Sequence, residues 1–437
     1  MAGRTLVASP LLWIALSLGL LTHAAYLSLD RDHYGADTPS YLIPADNLLH
    51  GQGFVNALHQ PELRRTPGYP LLLAIFRVAP LKVEYLILLQ HACCVLLAVA
   101  VTAFALRVTG SRVVALTAAS VLSLDLATLR IANLLLTEIT STLLITLAAW
   151  LVYRAITKPG SNVLTSVAAG LLGGCAALVR PVSILYFVPL SLCLFLARGR
   201  CALRPLVFMI ASFLLLPMVW STRNLVDGGY FGLSTIGTED ILYYRAAGAL
   251  AVQQPGNYLS NVRKVRDVLI DQTCADLERA YGRNCSQVTE TQIASYSVRK
   301  GMNIIRDNSL SYLRSSVWAL AYIVFGGGAE ALSKISNVSP RAAEYMVLLF
   351  TVPEACLAVV GCWYWYRRDR NLCYLLVFSI GYFFLISAGA EAYSRFKVPM
   401  MPLYALLIGG GAAEMLQWIQ TFTTARATSE NATTTLS

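Results

Sequence analysis

Asp30-Arg31-Asp32-His33-Tyr34-Gly35-Ala36-Asp37 opens a polar segment in a chain that is otherwise oil, and the segment closes at Arg64-Arg65-Thr66-Pro67-Gly68-Tyr69-Pro70. Apolar residues run from about Leu6 to Leu29 before it. The chain of 437 residues is 56% hydrophobic and 13% charged, with mean hydropathy +0.58. A soluble domain carries roughly 25% charged residues. Ionisable groups kept at the edge of a membrane domain are costly, so these acids and arginines are functional candidates.

Working outward, an apolar helix needs about 20 residues to cross a bilayer. Runs of that kind fall near 10–29, 84–107, 112–129, 134–153, 163–179, 182–198, 203–222, 342–366, 372–389 and 398–419. The expected fold is an all-α polytopic membrane protein with about ten spans. The first run, preceded by Arg4, is long for a signal peptide and lacks a clear small-x-small cleavage site, so it reads as a retained span.

The net charge is +10 and the isoelectric point about 9.1. Much of that excess sits in short loops at Arg107 and Arg112, Arg154 and Lys158, Arg198 to Arg204, and Arg367 to Arg370. The positive-inside rule places these four clusters in the cytoplasm, and the spans above satisfy all four at once. No RNA or DNA module is present, so nucleic acid is not an expected partner. The stretch Tyr312 to Gly328 is short and ends in three glycines; counting it as a span would put Arg367 to Arg370 on the wrong side. It reads as an interfacial or re-entrant element.

The outer face then collects the first loop 30–83, the turn around Asp125 and Arg130, the Arg180-Pro181 corner, a long loop 223–341 and the stretch from Glu391 to Lys397. The expected organisation is a transmembrane module over 1–222, an extracytoplasmic cap over 223–341, transmembrane helices over 342–420 and a disordered tail over 421–437. The cap shows helical periodicity near 258–282 and 290–306. Most of the ten cysteines lie singly in apolar runs, where Cys is a small buried hydrophobe. Cys274 and Cys285 instead share the cap, on the side where disulfides persist, and a helix stop at Gly282 would turn the chain back between them. A disulfide is expected there. No Cys or His set has zinc spacing.

Two acids stand out on the outer face. Asp37 precedes Tyr41, Ala45, Leu48 and Leu49, one face of a short surface helix; it reads as a functional carboxylate or as that helix's N-cap. Glu138 begins an apolar helix after Leu134-Leu135-Leu136-Thr137, either as a site residue or as an acid anchored at the interface. Arg64, Arg65, Arg180, Arg223, Arg395 and Lys397 are expected at the same face. Arginine suits bidentate phosphate contacts, and each alone could simply anchor a helix end to lipid.

The order of pieces carries a resemblance. An acid in the first outer loop is followed by Leu48-Leu49-His50-Gly51, then by Arg65-Thr66-Pro67-Gly68-Tyr69-Pro70. Next come Thr137-Glu138 and Gly170-Leu171-Leu172-Gly173, leading to Ala177-Leu178-Val179-Arg180-Pro181. Last come Trp220-Ser221-Thr222-Arg223-Asn224 and Ser394-Arg395-Phe396-Lys397-Val398-Pro399 with Pro402. This resembles the multi-spanning glycosyltransferases of the GT-C class. The branch is that of the protein O-mannosyltransferases, the lipid A aminoarabinose transferase and the rhizobial lipopolysaccharide galacturonosyltransferases. The resemblance covers roughly 30–230 and 390–410. It departs at Thr38, where many relatives carry a second acid beside the first, and at Arg65-Thr66-Pro67, where the aminoarabinose transferase has Glu-Lys-Pro.

The resemblance implies a polyprenyl-phosphate-linked sugar donor, used at the extracytoplasmic face of the cell membrane. The acceptor would be a lipid, a glycan or a protein. Asp37 matches the family's first-loop catalytic acid and Glu138 its second. The chemistry agrees, because such a transfer needs a carboxylate to take the acceptor proton and cations for the departing phosphate. The expectations are Asp37 as base and Glu138 as its partner. Arg395, Arg65, Arg64 and Arg180 would hold donor phosphate, with Lys397 as a weaker member. The cofactor is left open, a divalent cation being the candidate. Rival readings are a transporter or flippase, an O-antigen ligase-type protein and a non-catalytic scaffold. A transporter would place ionisable groups in the middle of several spans rather than at one face.

Overall fold

The computed structural model describes residues 9–78, 83–158, 162–390 and 394–434. Arg4 and Glu391, which entered the topology reading, lie outside the described residues. The described residues are helical, apart from connecting turns and one isolated bridge between Val55 and Pro61.

The order begins with α1 (Pro10–Leu29), α2 (Thr38–Leu49), α3 (Gly68–Val78), α4 (Val83–Thr109), α5 (Arg112–Leu124), α6 (Leu126–Ala132) and α7 (Glu138–Thr157). It continues with α8 (Asn162–Val179), α9 (Phe187–Arg198) and α10 (Leu203–Gly228). A polar group follows: α11 (Ile236–Asp240), a π-helical turn Ile241–Ala246, α12 (Ala247–Ala251), α13 (Tyr258–Tyr281) and α14 (Glu290–Asp307). The last elements are α15 (Ser309–Phe325), α16 (Ala329–Ser336), α17 (Pro340–Arg368), α18 (Arg370–Ile386), a short helix Ser394–Met400 and α19 (Met401–Thr434).

Among the described residues six helical segments are long and apolar enough to cross a membrane, and the number reaches eight if each bent pair is one span. The bent pairs are α5 with α6, at 51°, and α15 with α16, at 46°. The expected count of ten is not confirmed by length and composition, and two features bear on it. The apolar stretches of α8 and α18 cover 17 residues each, from Val163 to Val179 and from Arg370 to Ile386, which is about 26 Å of helix against a hydrocarbon core of about 30 Å. The stretches 182–198 and 203–222 fall mainly in α9 and α10, which a turn at Gly199–Ala202 separates within the apolar segment Pro181–Gly228. The stretch read as non-spanning, Tyr312 to Gly328, falls in α15 and the break before α16.

At the C-terminal end α19 runs from Met401 to Thr434. Extending a formed helix needs no new nucleus, so weak helix formers can follow an apolar span.

Small residues set the helix crossings. A Cβ at Gly170 would collide with the Met209 carbonyl oxygen, and one at Gly361 with that of Leu407. These glycines let α8 close on α10 and α17 on α19, where backbone approach replaces the missing hydrophobic drive inside lipid. The Trp365 indole, fully buried, donates to the Leu406 carbonyl at 2.8 Å across the α17–α19 crossing.

The polar group has its own core of Leu242, Ala246, Val262, Val265 and Leu269. Asn257 caps the start of α13, which stops at Gly282 with φ +62°, a conformation glycine adopts without strain. Thr289 and Gln292 form a capping box on α14. Cys274 and Cys285 are joined, with Cα atoms 5.2 Å apart.

Candidate functional site

Asp37 occupies the position just before α2, yet its side chain makes no capping hydrogen bond. The turn is held by Thr38 instead. Its hydroxyl accepts from the Gly35 amide at 2.9 Å and donates to the Leu135 carbonyl at 3.1 Å. That fastens the first loop to the entrance of α7. The Asp37 carboxylate is left to two guanidiniums: Arg65 Nη2 lies 2.9 Å from Oδ1 and Arg395 Nη1 lies 2.9 Å from Oδ2.

Glu138 opens α7 and is 2% exposed. Its Oε1 lies 2.5 Å from Arg180 Nη1 and 3.8 Å from Arg395 Nε. Arg395 therefore stands between the two acids. Five charged side chains from five separate segments meet here, two carboxylates against three guanidiniums.

Each arginine is aimed by aromatic and polar neighbours. Arg65 lies 4.5 Å from the centroid of the Tyr41 ring, and donates to Tyr41 Oη at 3.1 Å and Ser40 Oγ at 2.9 Å. Glu62 Oε1 accepts the amides of both Arg64 and Arg65, at 2.7 and 2.9 Å, which fixes the turn that presents Arg65. Arg180 and Arg395 share the Phe396 ring, at 5.0 and 5.3 Å from its centroid. Under the site lie Tyr41, Ala45, Tyr69, Leu73, Leu135, Ile139 and Val398 as one apolar floor.

Burial works to raise the Asp37 pKa, but the charges of Arg395 and Arg65 outweigh it and bring it down to about 2. The carboxylate is ionised across the physiological range. Its side chain keeps 29% of its surface open, so it remains reachable.

Two residues expected here turn elsewhere. Arg64, nearly half exposed, pairs with Glu239 of α11 at 2.9 Å. Lys397 is buried, with Nζ 2.7 Å from Asp125 Oδ1. Asp125 Oδ2 in turn accepts from the Thr128 amide and hydroxyl at 2.8 and 2.7 Å, capping α6. Arg223 serves the first loop, donating to the Glu62 and Phe54 carbonyls at 2.9 and 2.7 Å. Ser40, Tyr41 and Phe396 were not singled out from sequence as aiming groups. The signal was their spacing: Ser40 and Tyr41 follow Asp37 by three and four residues on a helix, and Phe396 neighbours Arg395.

Among the described residues no three His, Cys, Asp or Glu side chains group as metal ligands. Among the described residues, Asp37 and Glu138 are both held by arginine.

No family model matches the sequence, and no curated protein matches it. Solved structures do. The chain is similar to the oligosaccharyltransferase AglB of Archaeoglobus fulgidus in complex with an inhibitory peptide and a dolichol-phosphate. That match has a TM-score of 0.51 at 10% identity, over 94% of this chain and 52% of that one. The apo form of the same organism's enzyme gives 0.51 at 12% identity, over 95% and 52%. ArnT from Cupriavidus metallidurans bound to undecaprenyl phosphate gives 0.37 at 14% identity, over 93% and 78%. The chain spans about half the length of the oligosaccharyltransferase. The likeness is one of fold.

Proposed function

We propose that this protein is a glycosyltransferase that moves a sugar from a polyprenyl-phosphate donor to a lipid, glycan or protein acceptor at the extracytoplasmic face of the membrane, with inversion at the anomeric carbon. The observation that supports it is Arg395 placed between Asp37 and Glu138, with Arg65 and Arg180 flanking.

In the proposed step the acceptor oxygen attacks the anomeric carbon from the face opposite the phosphate. The bond from that carbon to the phosphate oxygen breaks, and its electron pair leaves as polyprenyl phosphate. Asp37 takes the acceptor proton. The donor is a phosphodiester with one negative charge, and the product is a monoester that gains a second. The arginines that hold Asp37 are those that would meet this charge. As the proton reaches Asp37, the carboxylate loses its hold on Arg65 and Arg395 while the phosphate's demand for them grows. Stabilisation that strengthens toward the transition state raises the rate. Contact between donor phosphate and the same guanidiniums also loosens the pairing that makes Asp37 a weak base.

The test is transfer by purified protein from a radiolabelled polyprenyl-phosphate sugar, with Asp37→Asn in parallel. Label in an acceptor fraction with wild type, and none with the variant, supports the reading. Equal turnover by both removes Asp37 from the reaction. The face is tested by reporters: one after Arg370 is expected to read cytoplasmic and one near Gly282 extracytoplasmic. If both report one side, the placement of the site is wrong.

A further inference from the structure

At the end of the bundle opposite Asp37, a cavity of about 360 Å³ opens between α4, α7 and the corner from α17 to α18. Arg154 follows Glu138 by sixteen residues on α7, about 24 Å along the axis at 1.5 Å per residue. The cavity is therefore separate from the site above.

Four cations line it: Arg107, Arg154, Lys158 and Arg368. One carboxylate, Asp369, faces them, and both its oxygens are occupied. Oδ2 accepts from the Tyr153 hydroxyl at 2.7 Å and Oδ1 from the Leu372 amide at 3.0 Å. Four cations less one acid leave the lining at +3. Among the described residues neither Arg107 nor Arg154 forms an ion pair with a carboxylate.

Two ordinary causes put basic residues at such an end: the positive-inside bias and the negative ends of helices. Arg107 and Arg154 lie in the last turns of α4 and α7, yet the carbonyls there are served by Arg368, itself in the lining, and by Arg198. Arg368 donates to the Thr109 carbonyl, and Arg198 to those of Ile156 and Lys158 at 3.2 and 3.1 Å. Neither cause supplies the rest of the wall. Phe104 packs edge-on against Tyr153 at 5.4 Å, and Trp150 keeps 45% of its surface open. One half of the cavity is thus cationic and the other aromatic.

We propose that this cavity binds the phosphate head group of an anionic membrane lipid. Arg107 and Arg154 take the phosphate oxygens, and Phe104 and Trp150 lie against the glycerol end of the acyl chains. Guanidinium forks match phosphate geometry, and basic pockets between membrane helices suit such head groups. Inorganic phosphate shares the polar chemistry but makes no use of the aromatic half.

The test uses full-length protein in detergent, titrated separately with phosphatidylglycerol, phosphatidylcholine and inorganic phosphate. Binding is read by thermal shift and by native mass spectrometry of the wild type. Phosphatidylglycerol is expected to bind and stabilise, and phosphatidylcholine is not. The pair Arg107→Gln with Arg154→Gln is expected to weaken phosphatidylglycerol about thirtyfold, from the usual contribution of each basic residue near anionic lipid. The pair Arg200→Gln with Arg204→Gln, equally basic and outside the cavity, is expected to leave it unchanged. Equal loss from both pairs would mean diffuse surface charge and overturn the proposal. A variant-sensitive shift with inorganic phosphate as large as with the lipid would overturn the lipid as source. Wild type that retains no anionic lipid in the mass spectrum overturns the site itself, whether or not the variants fold.

Discussion

Arg395 and Lys397 stand two residues apart on the short helix Ser394–Met400, and each meets a carboxylate. Their surroundings differ in two respects. Lys397 has Asp125 as its ion-pair partner, both side chains at 5% exposure or less, with the second Asp125 oxygen occupied by Thr128 and Glu354 near the pair. Arg395 is shared by two acids, and one of them, Asp37, reaches the surface. A saturated, closed pair has nothing left for a ligand and serves to lock segments together. A shared, reachable cation can exchange partners. Residue type and sequence position do not separate these roles; partner number and access do.

The comparison is broken most severely at Asp37. Asp37→Asn is expected to lower transfer by about 10²–10⁴-fold while the protein expresses and binds donor no more weakly than wild type. Single-turnover assays with labelled donor measure both quantities.

Lys397→Met is expected to act on stability, lowering it by about 3–5 kcal/mol, because Asp125 is left as an unpaired buried charge. Adding Asp125→Asn, which keeps an oxygen for the α6 cap, should recover much of that loss. Thermal unfolding of the three variants checks this. A rate defect in Lys397→Met that exceeds its loss of folded protein would place Lys397 in the reaction after all.

Arg395→Lys keeps the charge but cannot span Asp37 and Glu138 together. Transfer is expected to fall by about 10²–10³-fold, the scale for losing one preorganised charge donor. Near-normal rates with lysine would show that charge alone suffices there, and would erase the contrast with Lys397.

The smallest effect concerns acid. The Asp37 pKa is depressed to about 2, so its pairing contributes stability that is present above the ordinary carboxylate value near 4 and lost as pH falls through about 2. Unfolding midpoints of wild type and Asp37→Asn are expected to differ by a constant amount above pH about 4 and to converge below it. A gap that persists at pH 2 would contradict the ion-paired state.

Which residues gather at one end of the bundle was legible in the sequence because acids and arginines stood out against oil. Asp37, Glu138, Arg65, Arg180 and Arg395 needed only a topology to be read onto one face. Their pairing was not legible. Arg64 and Arg65 are chemically alike, and only the Glu62-held turn decides that one enters the site and the other meets Glu239. Lys397 and Asp125 lie far apart in the chain, with no local pattern to connect them. In the polar group, helix periodicity and the Gly282 stop are local signals, so α13, α14 and the approach of Cys274 to Cys285 were readable. Span number was not, because length near the threshold and a bend such as that between α5 and α6 depend on packing.

The pairing of Asp37 with two arginines has one more consequence, for the lipids that surround the protein. A membrane leaflet is crowded with phosphodiester head groups, any of which could act as a decoy for a bare arginine cluster. With Arg65 and Arg395 already held by a carboxylate, a passing head group gains little by displacing it. Under the proposed function, a donor brings further contacts, from its sugar or its long prenyl chain, to open the cluster. On that reading the ion pairs act as a threshold that rejects abundant lipids and admits the donor.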